Sequence, residues 1–210
     1  TLRIGDLVET MLNHLLEVLH SNGAGLSKEL RRLEDDVDTL YSAVKLYLAQ
    51  VPRDALGPKD SQRWAEIFEL AVNLQQAASI IERMLGKVQN QKTAQRHDFS
   101  ESGLQELSDL HAQLTRNLRL GLSVFVSGDR ESAQQLLREK RRFRAQERRL
   151  AHSHVARLHK QVVQSIETSS LHLTLISDMK RLNSLFCSSA YAVLEEHESG
   201  ALRVEIMGGE

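Results

Sequence analysis

The sequence has few of the residues that build disulfide frameworks, turns and aromatic cores. Its 210 residues include one Cys, two Pro, 11 Gly and 4% aromatic residues. A single cysteine excludes an internal disulfide and any centre that needs several thiolates. The scarcity of Pro and Gly argues against an all-β fold, which needs many turns. No apolar run approaches the roughly 18–20 residues of a membrane span, and the first residues do not resemble a signal peptide.

Charge is balanced over the whole chain but uneven along it. Lys and Arg number 27 against 28 Asp and Glu, whereas residues 138–160 carry nine basic and only two acidic side chains. Such a run is usually a solvated helix face whose bases pair with neighbours. The alternative is a contact surface for anionic lipid, a partner or phosphate. The candidate contact residues are Arg141, Arg142, Arg144, Arg148 and Arg149. Phe143 is the only aromatic residue in the run, so no stacking platform for nucleic acid is expected.

Apolar residues recur at i, i+3 and i+4 in six segments, which predicts six helices. The predicted helices span about 5–21, 26–50, 60–88, 101–126, 130–163 and 165–196. Both prolines lie in the predicted loop 51–58. Residues 89–100 are polar and aperiodic, and the tail 201–210 is expected to fray. We therefore predict one domain over 1–210, with halves of about 5–88 and 101–196 joined by a hinge at 89–100.

The two halves repeat the same pattern of turns and apolar residues. A shift of 105 residues places Gly23 on Gly128 and Leu74 on Met179. Each half alone would leave an apolar stripe exposed, which the other half can cover. The predicted fold class is an all-α bundle of six helices, made of two pseudo-repeated antiparallel three-helix units.

No pattern in the sequence is typical of an enzyme. There is no Gly-rich phosphate loop, no nucleophile elbow and no His-Glu-x-x-His motif. The nine histidines are interpreted as ordinary surface residues, because His152 and His154 point to different sides of a helix and cannot chelate. A helical-bundle metalloenzyme is disfavoured, since no pair of helices offers opposed carboxylate and histidine sets. We expect a protein that is not an enzyme.

The acidic run that opens the second predicted helix is the one promising pattern for metal. Glu34 and Asp38 are four residues apart, so both carboxylates lie on one helical face, where cations that prefer oxygen bind. Pairs of this kind usually decorate a solvated face. The two interpretations stay open on spacing alone.

Three short segments of the sequence resemble a known family. The Glu34–Asp38 pair resembles the E/D-x-x-x-D motif of PhoU, the phosphate-transport regulator, a family built of two three-helix repeats. Residues 167–173 (ETSSLHL) and 178–184 (DMKRLNS) look like a signature of PhoU-like domains fused behind bacterial sodium/phosphate cotransporters. The resemblance covers about residues 5–196.

The resemblance implies a cytosolic C-terminal regulatory domain of a sodium-dependent phosphate symporter. Its partner would be the transmembrane domain of the same polypeptide, on the cytoplasmic side of the bacterial inner membrane. A regulator of this kind biases the transporter between states through differential contacts. The alternative is a free-standing PhoU-like adaptor that binds a phosphate-sensing partner. Uncovered helix faces make a homodimer a further expectation.

The resemblance also bears on metal. Where metal-binding members of the family carry acidic partners on the third helix of each repeat, this chain has Gln75 and Ser79 in one half and Lys180 and Ser184 in the other. Glu139 is placed at the position related to Glu34, and its partner four residues on is Phe143. We therefore predict no required cofactor, no multinuclear cluster, and at most one labile divalent cation near Glu34 and Asp38.

Overall fold

A computed structural model of the chain describes residues 1–21, 26–52, 56–92, 99–159 and 168–195. The regular elements in these ranges are helical, and six long helices follow one another along the chain. They are α1 (Leu2–His20), α2 (Leu26–Gln50), α3 (Pro58–Asn90), α4 (Glu101–Ser127), α5 (Arg130–His159) and α6 (Ser169–Phe186). The all-α six-helix prediction is confirmed. Gly23, residues 93–98 of the predicted hinge, residues 160–167 and the tail 201–210 lie outside the described residues.

The predicted sixth helix is wrong in one respect, because it does not run unbroken to residue 196. A turn at residues 187 and 188 separates α6 from a further helical stretch over 189–195. The amide of Ser188 donates to the carbonyl of Leu185, three residues back, so the chain tightens and the helix ends there. No Gly or Pro marks this break in the sequence.

The link between α4 and α5 is specified by local residues. Gly128 ends α4 with a φ of 62°, a left-handed conformation that favours glycine. Asp129 then accepts a hydrogen bond of 2.8 Å from the amide of Ser132, which caps the start of α5. The two helices therefore turn back on each other within two residues.

The larger of two buried apolar clusters runs through both halves, and a smaller one lies within the second half. Met11 and Leu15 of α1, Ile81 of α3, Leu114 of α4 and Met179 of α6 are fully buried in the larger cluster. Within each half the three helices contact one another, and the main contacts between halves join α1 to α4 and α3 to α6. Helices α2 and α5 make their main contacts with their own half, so they form the two outer sides of the bundle.

Burial shows that the repeat does not follow a single shift of 105 residues. That shift holds for α3 and α6, where buried Leu74 and Ile81 match buried Met179 and Phe186. The outer helices differ, because buried Leu30 and Val37 of α2 match buried Leu136 and Phe143 of α5, a shift of 106. A shift of 105 would place buried Val37 on an exposed arginine.

This register corrects one prediction about the second half. Glu34 corresponds to Lys140 rather than to Glu139, and Asp38 corresponds to Arg144 rather than to Phe143. The register is set by the face of α5 that is buried. Apolar spacing did not reveal that face, because the helix is strongly charged. The acidic pair of the first half therefore has basic counterparts in the second.

Candidate functional site

The predicted acidic pair lies on the side of α2 that faces α3. The side-chain amide of Gln75 donates a 3.1 Å hydrogen bond to a carboxylate oxygen of Asp38. The same amide lies 3.4 Å from the hydroxyl of Ser79. Gln75 and Ser79 thus stand against the acidic pair, as the resemblance implied, and present an amide and a hydroxyl there instead of carboxylates.

Glu34, Asp35, Asp38 and Glu82 form an acidic patch, in which the other three carboxylates act on Glu34. Glu34 is half-buried, and burial raises the pKa of its carboxyl, with further increases from the negative charges of Asp38, Glu82 and Asp35. A hydrogen bond with Ser79 opposes the shift. Glu82, on α3, was missed by the sequence reasoning, although it follows Ser79 by three residues and therefore lies on the same face of that helix.

The patch offers oxygen ligands, which suit hard cations. Calcium takes about six to eight oxygen ligands and magnesium about six, so two carboxylates on one helix would supply only part of the coordination shell. Across the described ranges, no three or more His, Cys, Asp or Glu side chains are arranged to hold a metal ion. Whether the patch binds one labile ion stays a prediction.

The five candidate arginines on α5 are all exposed. At about 100° per residue, Arg141, Arg142, Arg148 and Arg149 fall within an arc of roughly 120°, on the side opposite buried Phe143. Arg144 lies at one edge of this arc. We call these five residues the basic face.

The pairing of the basic face distinguishes its two interpretations. Arg142 pairs with Glu139, and the guanidinium of Arg141 donates to the carbonyl of Leu137 over 3.3 Å. Arg144, Arg148 and Arg149 form no ion pair with any residue that the structure describes. Among the described residues, only Arg142 of these five arginines therefore fits a solvated face whose bases are paired with acids.

Two histidines correct the prediction that these residues lie at the surface. His111 is 3% exposed, and its Nε2 lies 2.7 Å from the carbonyl oxygen of Leu12, a contact between the two halves. Burial lowers the pKa of His111, while the contact with Leu12 works in the opposite direction. His172 is 1% exposed and its Nε2 lies 3.4 Å from a carboxylate oxygen of Glu106. The sequence signal was apolar periodicity, because buried Leu175 and Ile176 follow His172 by three and four residues.

The single cysteine does not offer a reactive thiolate. Cys187 is fully buried, and burial raises the pKa of its thiol to about 12, an effect that the nearby Lys140 partly opposes. A thiol with such a pKa stays protonated at neutral pH.

Hydropathy along the described helices is too low for a transmembrane segment: none of them is both long enough and apolar enough to cross a bilayer.

The chain is similar in sequence to a known domain family and to several curated proteins. A family model described as "PhoU domain" matches residues 1–88. The "Putative inorganic phosphate export protein YjbB" of Salmonella typhimurium strain LT2 is 55% identical over 204 residues, which are 97% of this chain and 37% of that protein. The protein of the same name from Escherichia coli K12 is 53% identical over 205 residues, 98% of this chain and 38% of that protein. The chain thus spans little more than a third of the length of these relatives.

The fold has a match among solved structures. The crystal structure of PhoU from Pseudomonas aeruginosa superposes with a TM-score of 0.79, over 92% of this chain and 91% of that one, at 15% sequence identity. The similarity covers both three-helix halves, including the second half, to which the family model does not extend.

Proposed function

We propose that this chain, which matches the PhoU domain over residues 1–88 and shares the fold of PhoU over 92% of its length, regulates an inorganic-phosphate transport protein. The observation that carries the proposal is the identity of 53–55% to proteins named for inorganic phosphate export, across nearly the whole of this chain. The domain itself would be a regulator and not an enzyme.

In its finer form, the proposal joins this domain to a sodium-dependent phosphate symporter, on the cytoplasmic side of the bacterial inner membrane. Support comes from length, because relatives of this identity extend far beyond the region that they share with this chain. The domain would favour one state of the transporter by contacting that state more strongly than the other, since no ligand or domain shifts an equilibrium without such a difference.

The basic face gives the domain a means of lying against a membrane. Arg148 and Arg149 are exposed and have no acidic partner in the described part of the chain. Basic side chains near an anionic leaflet contribute about 1 kcal/mol each. The basic face would therefore hold the domain close to the transmembrane partner.

Anionic vesicles test this contact directly. We expect the chain to cosediment with vesicles containing phosphatidylglycerol, and Arg148→Gln with Arg149→Gln to weaken that binding about tenfold or more. The matched control is Arg31→Gln with Arg32→Gln, which removes two exposed arginines from α2. If both double variants lost vesicle binding equally, net charge alone would explain the binding, and a role for the basic face would be contradicted.

The alternative function is a free-standing adaptor that binds a phosphate-sensing partner. The DNA upstream of the codon for Thr1 separates the two. Several apolar spans in the same reading frame support the fused transporter, whereas a start codon close by supports the adaptor.

Flux measurements test the regulatory role. Cells that lack their own phosphate transporters would express the complete reading frame, or the same frame without this domain, and the movement of radiolabelled phosphate would be followed with sodium or choline outside. We expect deletion of the domain to change the rate or its dependence on phosphate, and replacement of sodium to reduce transport. An unchanged flux on deletion would contradict regulation, and an unchanged flux in choline would contradict the sodium-dependent form.

A further inference from the structure

A groove with apolar walls opens at the start of α1, where α1, α2 and α3 meet. Its volume is about 380 Å³. The apolar residues that line it are Ile4, Leu40, Ala43, Val44, Leu48 and Ile67. Tyr47 also lines the groove and is 69% exposed. Concave surfaces of this size with mostly apolar linings are typical of binding sites, so we expect an apolar occupant.

The shift of 106 that relates the outer helices also relates α1 to α4. It places all nine buried residues of α1 onto buried residues of α4. Thr1 then corresponds to Leu107, although α4 begins six residues earlier, at Glu101. Residues 99–106 of the second half therefore have their counterparts ahead of Thr1.

Residues 99–106 pack on α5 and α6 of the second half. The hydroxyl of Ser153, on α5, donates to a carboxylate oxygen of Glu106 over 3.1 Å. The Nε2 of His172, on α6, lies 3.4 Å from the other carboxylate oxygen of Glu106. The ring of Phe99 lies against that of His172, with the two centroids 6.2 Å apart. The start of α4 and the residues before it thus cover this part of α5 and α6.

The corresponding positions of the first half are uncovered. Ser153 corresponds to Tyr47 by the shift of 106, and His172 corresponds to Ile67 by the shift of 105 that relates α3 to α6. Tyr47 and Ile67 both line the groove. Ile67 is half-buried, whereas the histidine at its equivalent position is buried. Because isoleucine is among the residue types most often fully buried, this reversal indicates that the groove receives a cover.

The starts of the two helices differ in the same sense. Ser100 caps α4, because its hydroxyl accepts a hydrogen bond of 3.2 Å from the amide of Gly103. The side chain of Thr1 makes no such capping hydrogen bond at the start of α1. Side-chain caps of this kind stabilise helix starts, so α1 has no cap that would oppose its continuation.

We propose that the residues which precede Thr1 in the fused transporter continue α1 by about six residues and fill the groove with apolar side chains. The relatives are long enough to supply such a segment, since this chain spans 37–38% of their length. The inference rests on the proposed fusion and makes the connection a packed helix. Movement of the transmembrane part would then be transmitted directly to α1.

Hydrogen exchange tests the continuation on the chain extended by the residues encoded directly upstream, about 12 of them or roughly three helical turns. The amides of Leu2 and Arg3 lie in the first turn of α1, where no carbonyl of the same helix can accept from them. We expect their exchange to slow at least about tenfold on extension. Unchanged exchange, or a start codon within about six residues of Thr1, would overturn the proposal.

Two neighbouring variants test whether the added segment fills the groove. Tyr47 and Leu46 are both exposed on α2, and of the two only Tyr47 lines the groove. In the 210-residue chain we expect Tyr47→Ala and Leu46→Ala each to change Tm by less than about 2 °C. In the extended chain Tyr47→Ala is expected to lower Tm by about 4 °C or more, and Leu46→Ala to keep its small effect. Equal effects of Tyr47→Ala in the two chains would overturn the proposal.

These measurements are independent of phosphate flux. Slowed exchange together with an unchanged flux on deletion of the domain would contradict the proposed function and support the packed connection. Unchanged exchange together with an altered flux would overturn the packed connection and support regulation.

Discussion

The carbonyl oxygen of Phe186 lies so close to Gly121 that a Cβ on residue 121 would stand 2.2 Å from it. This contact joins the end of α6 to the C-terminal third of α4. The hydroxyl of Ser189 also donates to the carbonyl of Gly121 over 3.0 Å, from the first turn of the helical stretch that follows α6. The break after α6 is therefore fixed on a backbone position that only glycine can occupy.

Gly121→Ala is expected to lower the free energy of unfolding by about 2–3 kcal/mol, because backbone on both sides must move to admit the methyl group. The matched control is Gly86→Ala, in the interior of α3. No atom lies within 4 Å of its Cβ position, so the better helix propensity of alanine is expected to stabilise by about 0.5–1 kcal/mol. Urea unfolding measures both, and changes of the same sign would contradict this account.

The raised pKa of Glu34 predicts a stability that depends on pH. The folded chain holds the Glu34 proton more tightly than the unfolded chain, whose glutamates titrate near the ordinary value of 4.5. The free energy of unfolding therefore loses this contribution as pH rises from that value through the raised pKa. Glu34→Gln is expected to stabilise at about pH 7 by no more than about 0.5 kcal/mol, since the group is largely solvated.

Unfolding midpoints at about pH 7 and about pH 4 check this expectation, because the advantage of Glu34→Gln should vanish at the lower pH. Asp36→Asn serves as the control, since Asp36 is exposed on the same helix and is not among the charges that act on Glu34. A variant that lost stability at the higher pH would contradict the repulsion assigned to the acidic patch.

Metal content after exhaustive dialysis tests the prediction for the acidic patch. We expect no tightly held transition metal, and at most one labile divalent cation that depends on Glu34 and Asp38. Gln75 supplies no charge to such an ion, and the equivalent site in the second half is occupied by Lys140 and Lys180. Two or more iron, zinc or manganese ions per chain, lost in Glu34→Gln, would show that the prediction is wrong.

The thiol of Cys187 is expected to react with a disulfide reagent at about pH 8 at least a hundredfold more slowly than a free cysteine. Burial shields it and raises its pKa to about 12, so little thiolate is present in the folded chain. In concentrated urea the reaction should become fast, since both effects are lost. Rapid modification under native conditions would indicate that the segment after α6 opens readily.

Helix positions followed from the sequence because apolar periodicity and turn residues agree with each other. Gly128 ends α4 within two residues of the predicted end, and Pro58 begins α3 close to the predicted start. Turn and capping residues of this kind determine where a helix begins and ends. The arrangement as a bundle followed from the repeat.

The details of the candidate sites were harder to predict from the sequence than the helices were. His111 and His172 are each followed three residues later by a buried leucine, Leu114 and Leu175, so apolar periodicity could have placed them on the inward face. The prediction that they lie at the surface considered only spacings that suit metal chelation. Glu82 joins the acidic patch through the packing of α3 on α2, which no spacing within one helix reveals. The register of α5 depended on which side of a charged helix carries Phe143.

The acidic pair and the basic face lie on helices that do not make the main contacts between the halves. Contacts between halves run mainly through α1 with α4 and α3 with α6, whereas the acidic pair and the basic face belong to α2 and α5. Substitutions on an outer helix can therefore change the charge of one side of the bundle while the apolar contacts between the halves stay intact. The two outer sides are free to diverge in charge independently of each other and of the core.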